Sequence, residues 1–238
     1  MSLSKEILEA LRFLASPEKA EILSRFFKTA KGEYGEGDLF LGVKVPESRT
    51  IVAAFWQRAS LKDIKEILYS PYHEMRLVAL LILVMKFEKS KNSEEKKELV
   101  DFYLQHTKQI NNWDLVDLSC YKVLGRYCFE NKEDLILQRL SNSDDLWEKR
   151  IAIVATMHYV KKNAFELTKA LVLNNMYHPH DLMHKANGWL LREMGKKNEA
   201  ALIQFLKAHY LTMPRTTLRY AIEKLDEQLR QDFLKGKI

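Results

Sequence analysis

Four groups of residues could do chemistry, and all four fall at helical spacing. In Asn112–Phe129, NWDLVDLSCYKVLGRYCF, Trp113 and Asp117 are four apart and share one face of a helix. A carboxylate then lies beside an indole, within two turns of the helix start. Val116, Cys120, Val123 and Tyr127 form the neighbouring apolar stripe, so Asp117 belongs at the edge of the core. Asn112 suits an N-cap, and Asp114 sits in the first turn, where the positive helix end favours a carboxylate. Arg150 opens the apolar part of the Trp147–Val160 helix, and Trp189 follows Gly188 inside Lys185–Arg192. A glycine within a helix costs about 1 kcal/mol against alanine, so Gly188 permits close approach of something, a ligand or another helix. Arg192, Lys196 and Lys197 come next and could reach phosphates. Each has a plain structural alternative. Trp113 and Trp189 can be core, Asp117 a solvated or capping acid, Arg150 a snorkelling edge residue, and the cations a solvated helix end.

Other chemistries find little support. GEYGEG (Gly32–Gly37) follows no strand and lacks the Lys-Ser/Thr of a phosphate loop. His180 and His184 have the spacing of helical zinc ligands, but the nearby acid, Asp181, points elsewhere on the helix, so no metal is expected. There is no Gly-x-Ser-x-Gly and no Cys-His nucleophile pairing. Cys120 and Cys128 fall in one predicted helix, about 12 Å apart and too far for a disulfide. Nothing asks for an oxidising compartment, and the cytoplasm is the expected location.

These residues must be positioned by helices, because almost every segment repeats at the helical period. Ser16-Pro17 reads as an N-cap with proline at the first helical position, opening a helix expected to bury Ala20, Ile22, Leu23, Phe26 and Phe27. Lys31–Val45, the one Gly-rich stretch, reads as a loop, and Pro46 opens a helix with Ile51, Val52, Ala54 and Phe55 turned inward. Helix pairs follow: Leu61–Leu68 with Tyr72–Phe87, Ser93–His106 with Trp113–Phe129, Glu133–Leu140 with Asp145–Val160, Ala164–Asn174 with Asp181–Met194, and Glu199–His209 with Pro214–Leu225. The second helices recur every 30–40 residues or so, the period of stacked two-helix repeats. The expected architecture is therefore all-α, an α-α superhelix (solenoid) forming a single domain over residues 1–238. Second helices would line its concave wall, where residues far apart in sequence meet. An irregular helical bundle is the competing reading.

The 238 residues are 47% hydrophobic and 29% charged with 8 Gly and 5 Pro, which excludes a disordered or collagen-like chain. The longest apolar run, Leu77–Met85, is about half of what a membrane span needs. Glu6, Glu9 and Arg12 interrupt the first apolar pattern, unlike a secretory signal. Net charge is +6, and 11 Lys and Arg against 6 Asp and Glu fall between Met183 and Ile238. Such asymmetry suggests a polyanion partner.

WDLVD (Trp113–Asp117), LWEKRIAIV (Leu146–Val154) and KANGWLLREMGKKN (Lys185–Asn198) together resemble the AlkD family of DNA alkylation repair glycosylases. FLGVKVPESR (Phe40–Arg49) and the closing MPRTTLRYAIEKL are similar to that family too, so the resemblance covers nearly the whole chain in order. It implies a solenoid of HEAT-like helix pairs with duplex DNA in a concave basic groove. The implied activity is hydrolysis of the N-glycosidic bond of positively charged alkylated bases, N3-methyladenine and N7-methylguanine, in base excision repair. The family need not flip the base, whereas most base-modifying enzymes do. By this resemblance Asp117 is the catalytic carboxylate, Trp113 and Trp189 the active-site indoles and Arg150 the active-site arginine. Lys185, Arg192, Lys196, Lys197, Arg215 and Arg219 are the cations expected to contact DNA.

That chemistry would use these side chains. Alkylation at N3 or N7 makes the base cationic, so it leaves neutral while positive charge grows on the deoxyribose. A carboxylate near C1′ stabilises that charge and orients water, provided Asp117 stays ionised. Arg150 could hold it ionised, and indole faces stabilise a nearby cation by about 0.5–2 kcal/mol. No general acid, amine nucleophile, metal or cofactor is needed, and a monomer suffices. The alternatives are a non-catalytic DNA-binding scaffold and a protein-interaction repeat.

Overall fold

Short polar side chains start about half of the helices, by accepting backbone N–H groups that have no partner within the first turn. Ser16 Oγ accepts from the Lys19 N–H at 3.4 Å with Pro17 in the first turn, as its sequence predicts. Ser60 and Asp63 cap each other's backbone, and Asn92, Asp145, Asn198 and Asp226 cap four more helices. The computed structural model describes residues 2–238, among which there are helices, turns and one isolated parallel bridge, Leu39 to Tyr72, but no strand. The chain divides into two compact units, one ending at Ser119 and the other spanning Cys120–Ile238.

The first unit contains α1 (Leu3–Phe13), α2 (Pro17–Phe26), α3 (Val45–Phe55), α4 (Leu61–Leu68), α5 (His73–Lys89), α6 (Ser93–Gln105) and α7 (Trp113–Cys120), which ends at the boundary. Helix α5 is its centre, packed by α3, α4 and α6 and buried all round from His73 to Val84. That burial includes three charged or titratable side chains, His73, Glu74 and Arg76. The loop before α3 is tied down by one of them. The Glu74 carboxylate accepts the N–H groups of Leu41 (3.0 Å), Gly42 (2.8 Å) and Val43 (3.2 Å), with Gly42 in the left-handed region at φ +83°.

Helix α2 departs from expectation: none of its residues is buried, and Ile22 and Phe26 are exposed. Only Phe27, at its C-cap, enters the core. The apolar side of α2 instead borders an open cavity of about 380 Å³, with Phe27, Phe40, Val43 and Leu77 across from it. In α3, Ile51 and Val52 are buried as expected but Ala54 is exposed.

The second unit holds a π-helical turn (Tyr121–Gly125), α8 (Arg126–Asn131), α9 (Asp134–Ser141), α10 (Leu146–Ala155), α11 (Met157–Lys161), α12 (Glu166–Asn174), α13 (Asp181–Lys197), α14 (Glu199–His209), α15 (Arg215–Ala221) and α16 (Glu227–Lys235). Within it, α9 packs on α10, and α13 on α10, α14 and most extensively α15. Two expected helices are interrupted. The stretch after Cys120 widens into the π turn where the bare Cα of Gly125 rests on the Ala155 carbonyl, a contact no side chain could share. The helix expected over 145–160 breaks at buried Thr156, whose hydroxyl donates to the Ile153 carbonyl at 2.7 Å. Helix α16 lies beyond the expected pairs and buries Phe233. Cys120 and Cys128 are free and buried, and burial, with Asp134 and Glu133 nearby, pushes the Cys128 thiol up to about 12. No helix among the described residues is long and apolar enough to cross a membrane.

Candidate functional site

The first unit supplies Trp113 and Asp117, both half-buried and one turn apart on α7. The start of α7 is fixed from beneath. Fully buried Asn112 accepts the Trp113 N–H on Oδ1 at 2.8 Å and donates through Nδ2 to Asp38 at 3.3 Å. The Trp113 indole lies on Phe27, with ring centroids 5.1 Å apart and planes at 14°, and Phe26 meets it edge-on at 5.9 Å. Phe27 in turn stacks on Phe40 at 5.0 Å.

Below these rings lies a cluster of charges that local spacing did not reveal. The His73 ring faces Asp38 Oδ2 through Nδ1 at 3.2 Å and Asp114 Oδ2 through Nε2 at 2.8 Å. Arg76 pairs with Asp38 at 2.5 Å and donates to Asn111 Oδ1 at 2.5 Å. Burial works to raise the Asp38 carboxyl, but the His73 hydrogen bond and the Arg76 charge outweigh it and hold it below the usual carboxylate value. Burial works to lower His73, but the charge and hydrogen bond of Asp114, with the hydrogen bond to Asp38, push it up to about 9. Asp114, read from sequence as a first-turn acid, is thus a buried partner of His73.

The second unit supplies Arg150 and Trp189. Arg150 is 5% exposed, so it is no snorkelling surface residue; its guanidinium donates to the Leu182 carbonyl at 2.6 Å. Leu182 lies in the first turn of α13, the helix that carries half-buried Trp189. A Cβ on Gly188 would fall 2.5 Å from the Thr217 carbonyl oxygen and 2.5 Å from Tyr220 Cβ. Of the two readings of Gly188, the close approach is therefore that of α15.

The cations named from sequence differ in their freedom. Arg192 pairs with Glu223 and lies 3.8 Å from Glu193, with its guanidinium 6.0 Å from the Tyr220 ring centre. Lys196 pairs with Glu193 at 2.6 Å, and Lys185 with Asp181 at 2.7 Å. Arg215 is exposed and donates to the Leu234 carbonyl at 3.1 Å, while Lys197 and Arg219 are exposed. Sequence reasoning missed Lys161 and Lys122. Lys161 sits 4.3 Å from the Tyr121 ring centre, and burial, then the like charges of Lys122 and Lys197, lower it. Their signal was weak, because the three lysines come from separate elements.

His178, His180 and His184 all engage the backbone. His184 Nε2 meets the His178 carbonyl at 2.6 Å, and the Nδ1 atoms of His178 and His180 accept from His180 and Leu182 N–H groups at 3.1 Å each. Among the described residues no group of three or more His, Cys, Asp or Glu is placed to hold a metal ion.

A fold built from helices alone, with an indole and a carboxylate one turn apart over a buried charge cluster, defines an all-α protein with a candidate site on a helix face. Residues 7–225 match the family model described as DNA alkylation repair enzyme, and the chain belongs to that family. Among solved structures it is similar to a predicted DNA alkylation repair enzyme from Enterococcus faecalis, at 18% identity and a TM-score of 0.69, over 90% of this chain and 97% of that one. That likeness shows the fold, an all-α one. A comparison with curated proteins found no match.

Proposed function

We propose that this member of the alkylation repair family is a monofunctional DNA glycosylase for positively charged alkylated bases in duplex DNA. Water adds to C1′ of the damaged nucleotide, the N-glycosidic bond breaks, and N3-methyladenine or N7-methylguanine leaves as a neutral base. The proton lost by the water passes to solvent and an abasic site remains. Asp117 stabilises the positive charge that grows at the sugar and orients the water. Trp113 and Trp189 present indole faces to the cationic lesion. Arg150 orders the start of the Trp189 helix and supplies positive charge. Lys185, Arg192, Lys196, Lys197, Arg215 and Arg219 hold the phosphates.

One observation carries this reading. Trp113 and Asp117 are neither sealed in the core nor fully solvated, and they project from a helix whose first turn is fixed by buried hydrogen bonds. An indole and a carboxylate held that way are preorganised for charge developing beside them.

The test is release of 7-methylguanine from methylated duplex DNA. Wild type releases the base, and Asp117→Asn is slower by about 100-fold or more with duplex affinity unchanged. Release that survives Asp117→Asn removes that residue from its role. Salt-dependent duplex binding by wild type without any release would establish the scaffold reading instead.

A further inference from the structure

We propose that His73 is a positioning residue for this site: by bridging Asp38 and Asp114 it fixes the first turn of α7, and with it the indole of Trp113 and the carboxylate of Asp117. The proposal rests on the glycosylase reading for its consequence, but its geometry is independent of that reading.

Both ring nitrogens of His73 face carboxylates, at 3.2 Å (Asp38) and 2.8 Å (Asp114). An ionised carboxylate only accepts, so a ring that satisfies both must donate from both nitrogens and is an imidazolium. Its influence reaches Trp113 by two routes. One is covalent neighbourhood, because Asp114 follows Trp113 and precedes Asp117 by three residues. The other is ring packing: His73 lies 4.7 Å from Phe40 and 4.9 Å from Phe27, and Phe27 is the ring on which Trp113 stacks. The charges facing the imidazole are Asp38 from the loop before α3, Asp114 from α7, and Arg76 from its own helix. Glu74, also on α5, is occupied by the Leu41, Gly42 and Val43 N–H groups. Two acidic and two basic side chains thus balance in a space nearly closed to solvent. Loss of the His73 proton takes one donor from one of the two carboxylates and leaves an excess negative charge under α7. The shift of His73 to about 9 places that loss well above neutral pH.

The test uses full-length protein labelled with 5-fluorotryptophan, with the Trp113 resonance assigned through Trp113→Phe. Fluorine spectra are recorded from pH 6.5 to 10 while imidazole NMR follows His73 directly. The expected result is a Trp113 shift that titrates with His73 near pH 9. In Asp114→Asn, which keeps the size and one acceptor oxygen, both midpoints should fall together by at least one pH unit. His73→Gln should abolish the titration of the Trp113 signal. Should that variant fail to fold, the wild-type and Asp114→Asn titrations decide the matter. A Trp113 resonance that stays flat while His73 titrates, or a His73 that titrates below pH 7, overturns the proposal. Base release should fall on the alkaline side with the same midpoint. If wild type releases no base, the glycosylase reading fails while the fluorine titration still judges the role of His73.

Discussion

Gly188→Ala tests the packing that holds the Trp189 helix, because two opposed effects make its sign informative. In the interior of an ordinary helix the change stabilises by about 1 kcal/mol, since alanine loses less backbone freedom on folding. Here the added Cβ would stand 2.5 Å from the Thr217 carbonyl oxygen and 2.5 Å from Tyr220 Cβ, with the Thr217 carbonyl carbon at 3.2 Å. Comfortable separations are about 3.5–4.0 Å, so α13 and α15 must part by roughly an ångström. Neither obstacle is the far end of a flexible side chain: one is backbone and the other is bonded to it. Overpacking of this kind costs about 1–3 kcal/mol, which leaves a net loss of up to about 2 kcal/mol after the helix gain. Urea unfolding followed by circular dichroism measures this as a lower midpoint at unchanged slope. The same displacement moves Trp189, the next residue, so base release should fall by more than the stability loss explains. A variant stabilised by about 1 kcal/mol with undiminished release would refute the close approach and its link to the site.

Two further outcomes follow from the same geometry. Glu74→Gln replaces a buried carboxylate that serves the Leu41, Gly42 and Val43 N–H groups with a neutral oxygen, and it sets an amide nitrogen where the second carboxylate oxygen accepts from Leu41; thermal unfolding should show a loss of about 2–4 kcal/mol, as expected for weakened charge-assisted hydrogen bonds. Lys197→Ala should flatten the salt dependence of duplex binding by about one unit of slope, whereas Arg192→Ala, which removes a guanidinium shared between Glu223 and the phosphates, should flatten it less; equal effects in a fluorescence anisotropy titration would count against Arg192 being shared with Glu223.

Most of the helices were legible because their punctuation is local. Ser16-Pro17 and Asn92 act within one turn; the structure uses Ser16-Pro17 as the sequence predicts, and Asn92 caps the helix expected from Ser93. The interruptions were not legible, because they come from tertiary contact. Nothing near Gly125 in the sequence announces that Ala155 will lie against it. Trp113 and Asp117 could be singled out because four residues of helix bring them together, and Arg192 because it follows Trp189. What Arg192 does could not be read, since its partner Glu223 is 31 residues further on. The open question at Gly188 was of the same kind, and Thr217 and Tyr220 answer it.

The residues that sequence reasoning missed in the first unit share one property. Asp38, His73, Arg76 and Asp114 are all nearly inaccessible to solvent. Taken singly, each would be an expensive residue to bury, because an unpaired charge in the interior costs several kcal/mol. Together they are two acids and two bases whose hydrogen bonds converge on the turn before Trp113. An apolar core of the same volume is often as stable or more so, but it would offer Asn112 and Asp114 none of the hydrogen bonds they make here. The fold therefore accepts the cost of buried charge at the place where a half-buried indole and carboxylate need one fixed orientation. On the proposed reading, a cluster invisible to local spacing therefore serves the candidate site as well as the core.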